Sequence, residues 1–329
     1  MRYVVTGGAG FIGSHLVEQL VERGPEVVVL DDFSTGRREN LEPFRSAITL
    51  VEGSVTDPAA CARALRGADY VLHEAAIPSV PRSLEDPRGT HAANVDGTLT
   101  LLLAAREAGV RRVVYAASSS AYGNTEELPK HERMMPKPLS PYAVQKLAGE
   151  HYCRAFAASF GLPTVALRYF NIFGPRQDPA SEYAAVIPRF ITAARAGVQP
   201  TIFGDGEQTR DFTYVANAVH ANLLACAAPA AQVNGQVFNV GCGQRISLNR
   251  LWAEIAAITG CALTPRYTNP RPGDVRDSLA SLDAAHAALG YQPVVGLAAG
   301  LRRTVDFFAA ETPGGAAPGP APAAAPRQP

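Results

Sequence analysis

The sequence lacks several features that would point to particular classes of protein. Its 30 Lys and Arg residues are balanced by 30 Asp and Glu residues, so no global basic field attracts a nucleic acid. The five cysteines form no CxxC pair, which argues against a disulfide framework or a zinc site and favours a reducing compartment. No apolar run approaches the ~18 residues of a membrane helix, and the first residues are typical of a strand rather than a signal peptide. We therefore expect a cytoplasmic protein with no nucleic acid, membrane or metal as its partner.

What the sequence does contain is typical of a globular α/β protein. Its 329 residues are enough for about two domains. The first half alternates runs rich in Val, Ile and Leu with helical segments, a pattern typical of a parallel sheet covered on both faces. We predict a doubly wound parallel sheet of the Rossmann type over residues 1–170, to which a segment near 212–245 returns. For residues 171–311 we predict a smaller, partly helical lobe. Residues 312–329 are rich in Pro, Ala and Gly, and we predict a disordered tail there.

A glycine-rich turn joins the first predicted strand to the first predicted helix. In the sequence TGGAGFIG, the spacing of Gly7, Gly10 and Gly13 is GxxGxxG. Glycines allow the backbone to turn tightly and to approach a pyrophosphate, and the helix N-terminus adds N–H groups and the positive end of its dipole. In this strand–turn–helix context the motif predicts a bound dinucleotide.

An acid at the end of the second strand indicates which dinucleotide is bound. Asp31 follows the last glycine of the turn by 18 residues, and a carboxylate there accepts hydrogen bonds from the adenosine ribose, which favours NAD. Asp32 is an alternative for the same role. Arg37 and Arg38 lie nearby and would instead suit the 2′-phosphate of NADP, so NADP stays open as the less favoured cofactor.

A tyrosine and a lysine four residues apart form the next candidate site. In SPYAVQK, Ser140 is a typical N-cap and Pro141 a typical first helical residue, so Tyr142 and Lys146 share one helix face. A phenol is a poor base near neutral pH, but a neighbouring ammonium would lower its pKa and let it exchange a proton with an alcohol. Ser118 begins a run of serines after an apolar strand, and its hydroxyl can donate to and accept from a reacting oxygen.

Together these motifs resemble the extended short-chain dehydrogenase/reductase superfamily, and in particular its NAD-dependent nucleotide-sugar epimerases. The resemblance is strongest to bacterial UDP-N-acetylglucosamine/UDP-glucose 4-epimerases. The segments that carry it are TGGAGFIGSHL, HEAAIPSVPRS, YAASSSAYG, LSPYAVQK, RYFNIFGPRQDPASEYAAVIPRF, IFGDGEQTRDF and RPGDVRDSLA. It implies an isomerase that interconverts UDP-glucose and UDP-galactose, or their N-acetylated counterparts, through a 4-keto intermediate with tightly bound NAD.

The resemblance also implies a role for each residue of the motifs. Ser118 would bond the reacting oxygen, Tyr142 would be the acid and base, and Lys146 would bind the nicotinamide ribose and tune Tyr142. Residues 1–170 would hold NAD, and residues 171–311 would mainly bind the UDP-sugar. Besides the glycine turn and the acid, the NAD contacts would come from Phe11, Ile12, Val55, Ala75, Ala76, Asn94 and Tyr169.

A second group of residues would bind the UDP-sugar. Arg210 and Arg271 would hold the diphosphate with their guanidinium forks. Asp274 would accept from the uridine ribose, and Phe203 would stack on the uracil. Ser278 is small and would leave room for an N-acetyl group on the hexose. The substrate contacts would be completed by Ser118, Ser119, Asn171, Gln177 and Ala185.

Two positions depart from the pattern of the family. Pro78 replaces the glycine expected in relatives that prefer N-acetylated sugars, and it would narrow the pocket. Ser54 replaces the usual aspartate beside the adenine, while the backbone contact of Val55 would survive. The preference between N-acetylated and unsubstituted hexoses therefore stays open.

Other functions on the same scaffold are alternatives. A UDP-uronic acid 4-epimerase would want extra donors or a cation for the C6 carboxylate. A 4,6-dehydratase is disfavoured, because Ser119 and Ser120 stand where such enzymes carry an Asp–Glu pair. A non-catalytic NAD-binding protein is disfavoured, because the Ser–Tyr–Lys trio is complete. The resemblance finally implies a homodimer that forms through helices over residues 94–108 and 141–158.

Overall fold

The computed structural model describes residues 1–179, 185–270 and 275–310. Its strands are β1 (Arg2–Thr6), β2 (Glu26–Asp31), β3 (Ile48–Glu52), β4 (Tyr70–His73), β5 (Arg112–Ser118), β6 (Thr164–Tyr169), β7 (Ile172–Phe173), β8 (Thr201–Phe203), β9 (Thr209–Arg210), β10 (Thr213–Tyr214), β11 (Gln236–Val240), β12 (Ile246–Ser247) and β13 (Arg266–Thr268). Its α-helices are α1 (Phe11–Arg23), α2 (Pro58–Leu65), α3 (Val80–Glu85), α4 (Pro87–His91), α5 (Gly97–Glu107), α6 (Pro141–Phe160), α7 (Val186–Ala196), α8 (Val215–Ala227), α9 (Ala230–Val233), α10 (Leu248–Thr259), α11 (Asp283–Leu289) and α12 (Leu297–Ala310). The tail predicted for residues 312–329 lies outside the described residues.

A parallel sheet forms the centre of the molecule. Within the described residues it has seven strands in the order β11-β6-β5-β4-β1-β2-β3. In the inner strand β1, Val4 pairs with Val28 of β2 on one side and with Val71 of β4 on the other. The chain therefore builds the sheet outward in one direction and then, from β4 onward, in the other. This is the doubly wound α/β fold that the sequence predicts, with its switch point at the carboxyl ends of β1 and β4.

Helices cover both faces of the sheet, which explains the unbroken apolar strands. In β2, Val27 and Val29 belong to the core formed with α1 and α8, whereas Val28 and Leu30 belong to the core formed with α2, α5 and α6. All four residues are at most 1% exposed. Because successive side chains of a strand point to opposite faces and both faces are buried here, a continuous run of Val and Leu is stable.

A further core lies among elements from the second half of the chain. α7, α10 and α12 pack around β7 and β10, and Phe190 of α7 meets Trp252 of α10 edge to face, with 5.5 Å between the ring centroids. Two later elements belong to the main sheet and its covering layer instead. β11 pairs with β6, and α8 packs beside α1 on one face of the sheet. The predicted domain boundaries stay a prediction. No helix in the described part of the chain is long and apolar enough to cross a membrane.

Two serines build the start of α6. Ser140 caps the helix by accepting from the N–H of Ala143 at 3.2 Å, and Pro141 occupies the first helical position. The N–H of Tyr142 has no acceptor inside its own helix, and it donates to the hydroxyl of the buried Ser83 at 3.0 Å. Ser83 therefore ties α3 to the first turn of α6 and sets the position of Tyr142.

The helix predicted over residues 94–108 differs at its start. Ala92–Asp96 form a π-helical turn that leads into α5. In this turn the side chain of Asn94 accepts from the N–H of Ile77 at 2.8 Å and donates to the carbonyl of Ile77 at 3.2 Å. π-helical turns are frequent at functional sites. Here the two hydrogen bonds of Asn94 fix the backbone of Ile77, in the segment that follows β4.

A buried ion pair between α6 and β6 allows a test of how the fold is held together. Glu150 accepts two hydrogen bonds from the guanidinium of Arg168, at 2.9 and 2.7 Å, and both side chains are at most 4% exposed. Glu150→Gln should lower the free energy of unfolding by about 3 kcal/mol, because a buried positive charge then loses its partner. Urea denaturation measures the change. Glu107→Gln, on the exposed side of α5, is the control, and equal midpoints for both variants would contradict the prediction.

Candidate active site

A cavity of about 840 Å³ opens at the carboxyl edge of the central sheet. Its lining combines residues that follow β1, β2, β4 and β5 with residues from the second half of the chain, at the place where doubly wound sheets bind ligands. Most of the residues predicted from the sequence meet there. They are Gly7, Gly10, Phe11, Ile12, Gly13, Asp31, Asp32, Val55, Ala75, Ala76, Ser118, Ser119, Tyr142, Lys146, Tyr169, Asn171, Gln177, Ala185, Arg210 and Ser278.

Four predicted residues are not among the lining residues that the structure describes. Arg271 and Asp274 lie outside the described residues. Phe203 stands on β8 and does not line the cavity, so its stacking on uracil stays a prediction. Asn94 is buried behind the cavity wall, where its amide bonds the backbone of Ile77 and donates to Gln145 at 2.8 Å. In this structure Asn94 shapes the wall, and a direct contact with the cofactor stays a prediction.

The glycine turn is closed so tightly that side chains would not fit. Gly7 has a φ of +67°, and a Cβ there would lie 2.7 Å from the backbone nitrogen of Ala75. Asp31 holds the turn from the side by accepting from the N–H of Ala9 at 2.8 Å and from the N–H of Phe33 at 2.8 Å. Burial raises the pKa of Asp31. The acid predicted to bind the ribose thus also positions the turn, a role that the sequence reading did not include.

The charges around Asp31 fit NAD better than NADP. Arg38 pairs with Glu52 at 2.6 Å and lies over the ring of Phe33, 3.9 Å from its centroid. Arg37 lines the cavity and stands 3.9 Å from Asp178. Each arginine that would suit a 2′-phosphate therefore already has an acidic neighbour, while Asp31 lines the cavity and its contact with the ribose stays a prediction.

Tyr142 is partly buried, and its pKa differs from the sequence-based expectation. A neighbouring ammonium was expected to lower it. In the structure, burial raises the pKa of Tyr142 to about 12, a hydrogen bond with Ser118 lowers it and the carboxyl of Glu74 raises it further. The expectation is wrong for the protein alone, because burial of the phenolate costs more than the hydrogen bond with Ser118 returns, and the carboxyl of Glu74 adds to the cost.

Lys146 is fixed to the end of the neighbouring strand. Its ammonium donates to the carbonyl of Ala116 at 2.8 Å and lies 5.1 Å from the ring centroid of Tyr115. Burial lowers the pKa of Lys146, while the carboxyl groups of Glu74 and Glu150 oppose this shift. Lys146 and Tyr142 therefore both reach the cavity from α6, as their spacing predicts.

Ser118 has a partner that the motif reading assigned no role. Its oxygen accepts from the hydroxyl of Ser120 at 2.8 Å and from the N–H of Ser120 at 3.2 Å, which caps a short 3₁₀ turn. With its oxygen engaged as an acceptor, Ser118 is oriented to donate its own proton. Ser120 therefore positions Ser118.

Glu74 is a further group that the sequence reading left out, although it belongs to the quoted HEAA segment. It lines the cavity and accepts from the hydroxyl of Tyr169 at 2.6 Å. Its neighbour His73 is held between the hydroxyls of Thr6 and Thr98, at 2.7 and 3.0 Å. Burial lowers the pKa of His73 to about 3, so this histidine is neutral. In the described ranges, no three His, Cys, Asp or Glu side chains form a group that could hold a metal ion.

The fold and the cavity define a class of protein. A doubly wound sheet in which a glycine turn follows the first strand and an acid ends the second is a dinucleotide-binding fold. A model of the NAD dependent epimerase/dehydratase family matches residues 3–241, and the chain belongs to this family. NAD is accordingly its cofactor, and the resemblance drawn from the motifs is confirmed.

Known proteins resemble the chain over nearly its whole length. It is 41% identical to a UDP-glucose 4-epimerase of Mycolicibacterium smegmatis, in an alignment that covers 94% of this chain and 98% of that protein. Two solved structures, each 39% identical, cover 94% of this chain and 99% of their own. One is the UDP-glucose 4-epimerase of Thermotoga maritima with UDP-glucose, at a TM-score of 0.89. The other is the UDP-N-acetylglucosamine 4-epimerase of Methanobrevibacter ruminantium in complex with UDP-N-acetylmuramic acid, at a TM-score of 0.90.

The glycine turn allows a direct test of the cofactor site. A Cβ at Gly13 would lie 2.1 Å from the carbonyl oxygen of Gly7. Gly13→Ala should weaken NAD binding about tenfold or more, because overpacking of this kind costs about 1–3 kcal/mol. Titration of NAD into cofactor-free protein measures the affinity. At Gly296 a Cβ meets nothing within 4 Å, so Gly296→Ala is the control. Unchanged NAD affinity of Gly13→Ala would refute the prediction.

Proposed function

We propose that this protein catalyses the reversible C4 epimerisation of a UDP-hexose through a 4-keto intermediate, with NAD bound throughout. The observation that carries the proposal is a continuous cavity in which Ser118, Tyr142 and Lys146 meet the glycine turn as well as Asn171 and Arg210 from the second half of the chain. A UDP-sugar bound through its diphosphate in the second half would present its hexose to the trio. The similarity to UDP-sugar 4-epimerases supports the same conclusion.

Tyr142 would exchange a proton with the C4 hydroxyl of the sugar. Because burial makes its phenolate costly, a positive charge beside Tyr142 in the loaded site would favour loss of the proton. Lys146, from the next turn of α6, and the oxidised nicotinamide would supply such charges. Ser118, oriented by Ser120, would donate to the reacting oxygen. Bound NAD supplies hydride acceptance and return at C4.

The second half of the chain would anchor the nucleotide. Arg210 lines the cavity, and its guanidinium fork suits the oxygens of a diphosphate. Anchoring by phosphate leaves the hexose freer to turn than the nucleotide, as the reaction needs, because the 4-keto sugar must present its other face. The roles of Arg271, Asp274 and Phe203, and the division into an NAD-binding domain and a mainly UDP-sugar-binding lobe, belong to the same proposal.

A UDP-uronic acid 4-epimerase is a second candidate. Arg82, which the sequence reading gave no role, lines the cavity together with Ser118 and Tyr142. A cation in this lining is what a C6 carboxylate would require. The UDP-hexose is preferred because the relatives to which the chain is similar over nearly its whole length include 4-epimerases of UDP-glucose and UDP-N-acetylglucosamine.

Incubation of the purified protein with UDP-glucose, UDP-N-acetylglucosamine and UDP-glucuronic acid, with no NAD added, tests the proposal. We expect chromatography to resolve the C4 epimer of at least one neutral UDP-hexose, with no net NADH. Tyr142→Phe should lower kcat by about 10³-fold, the scale of lost general acid–base catalysis, while NAD stays bound.

The matched control for this substitution is Tyr152→Phe on the same helix, which should keep its activity. Net production of NADH that depends on added NAD would contradict epimerisation. Turnover of UDP-glucuronic acid alone would favour the second candidate. Full activity of Tyr142→Phe would refute the assignment of Tyr142.

A separate prediction concerns the width of the hexose pocket. Ser278 lines the cavity, as do Gln177 and Ala185. Ser278→Tyr should fill the space of an N-acetyl group and lower kcat/KM for UDP-N-acetylglucosamine at least about tenfold relative to UDP-glucose, because overpacking of a pocket costs about 1–3 kcal/mol. Both substrates are measured on the same variant, so a general loss of activity cancels in the ratio of the two kcat/KM values. An unchanged ratio would show that Ser278 does not line the hexose site.

We further propose that two copies of the chain associate through α5 and α6, which pack against each other. Leu103 of α5 and Val144 of α6 are 42% and 52% exposed. Apolar side chains grouped on a surface are typical of an interface between proteins. The Leu103→Glu/Val144→Glu double variant should therefore be monomeric by light scattering. Leu263→Glu, at an exposed apolar residue elsewhere, is the control, and a monomeric unmodified protein would refute the proposal.

A further inference from the structure

Glu74 belongs to a buried network on the cavity wall that the proposed mechanism does not use. The hydroxyl of Tyr169 donates to its carboxyl oxygen at 2.6 Å. The side-chain amide of Asn222 donates to the hydroxyl of Tyr169 at 2.6 Å. Asn222 is fully buried on α8 and donates as well to the carbonyl of Ala218 at 2.9 Å. The carboxyl group is thus held by Tyr169 of β6, which Asn222 of α8 holds in turn.

The strand order places this network beside the catalytic trio. β5 lies between β4 and β6, so the contact between Glu74 and Tyr169 passes the carboxyl end of β5, where Ser118 stands. α8 packs on one face of the sheet with α1, whereas α6 packs on the other face with α2 and α5. The Lys146 ammonium and the Glu74 carboxyl therefore approach the same strand ends from opposite faces.

The charge of Glu74 acts on its neighbours across this small space. Its carboxyl opposes the lowering of the pKa of Lys146 and raises the pKa of Tyr142. Burial raises the pKa of Glu74 itself to about 7, against the donor from Tyr169 and the charge of Lys146, so the carboxylate predominates above that pH. The acids Asp31 and Asp32 also line the cavity, but they stand at the end of β2, which β1 separates from β4.

We propose that the carboxylate of Glu74 favours the oxidised nicotinamide of bound NAD over the reduced form. The oxidised ring carries a positive charge and the reduced ring is neutral, so a carboxylate in a shielded cavity stabilises the first selectively. This inference rests on the proposed function, since that function places the nicotinamide beside Tyr142 and Lys146. Such a preference suits a reaction in which the cofactor ends in the state in which it began.

The affinities of the cofactor-free protein for NAD and for NADH test the proposal without any sugar nucleotide. Glu74→Gln keeps the size of the side chain and removes its charge. It should shift the ratio of the two dissociation constants about tenfold in favour of NADH, the scale of one charge interaction at a shielded site. Tyr169→Phe removes a donor to the carboxylate and should shift the ratio in the same direction by a smaller factor.

Glu52→Gln is the matched control, because Glu52 also ends a strand at this edge of the sheet but stands on β3, three strands from β4. It should leave the ratio unchanged. An unchanged ratio in Glu74→Gln, or an equal loss of both affinities, would overturn the proposal and leave Glu74 with a purely structural role. If Glu74→Gln does not fold, Tyr169→Phe decides. Because no sugar is involved, this outcome is separate from the success or failure of the epimerase assay.

Discussion

The hydrogen bond from Lys146 to the carbonyl of Ala116 ties the helix that carries Tyr142 to the strand that ends in Ser118. The cavity depends on this tie, because it brings the proposed acid–base group and the proposed donor to one place. A buried ammonium is costly unless it is compensated. Here the compensation comes from the carbonyl, from the carboxyl groups of Glu74 and Glu150 and from the ring face of Tyr115.

The same helix is held at further points along its length. Ser83 accepts from the N–H of Tyr142 at its start, and Glu150, one turn beyond Lys146, pairs with Arg168 of β6. α6 is thus fixed to α3, β5 and β6 in sequence. The side chains of Ser83, Lys146, Glu150 and Arg168 are all buried, so water competes little for these bonds, and the helix has little freedom to shift. A site that relies on two side chains of one helix needs such restraint.

Much of the fold follows from local patterns. The continuous Val and Leu run of β2 predicts a strand buried on both faces, and the glycine turn predicts the junction of β1 with α1. The site is predictable to the extent that its residues lie close in sequence, as Tyr142 and Lys146 do. Asn94 shows the limit: the resemblance implies a polar contact with the cofactor, but only the packing against Ile77 and Gln145 shows what the amide bonds.

The sequence by itself determined the alternating strands and helices typical of a doubly wound sheet, the glycine turn, the acid after it and the Tyr–Lys face of α6, because each depends on chain geometry over a few residues. Only the tertiary structure decided that burial raises the pKa of Tyr142, that Asp31 also holds the turn, and that Glu74 is bonded to Tyr169. Desolvation and hydrogen bonding of this kind are set by residues that are remote along the chain and adjacent in space. Their effects cannot be derived from local spacing.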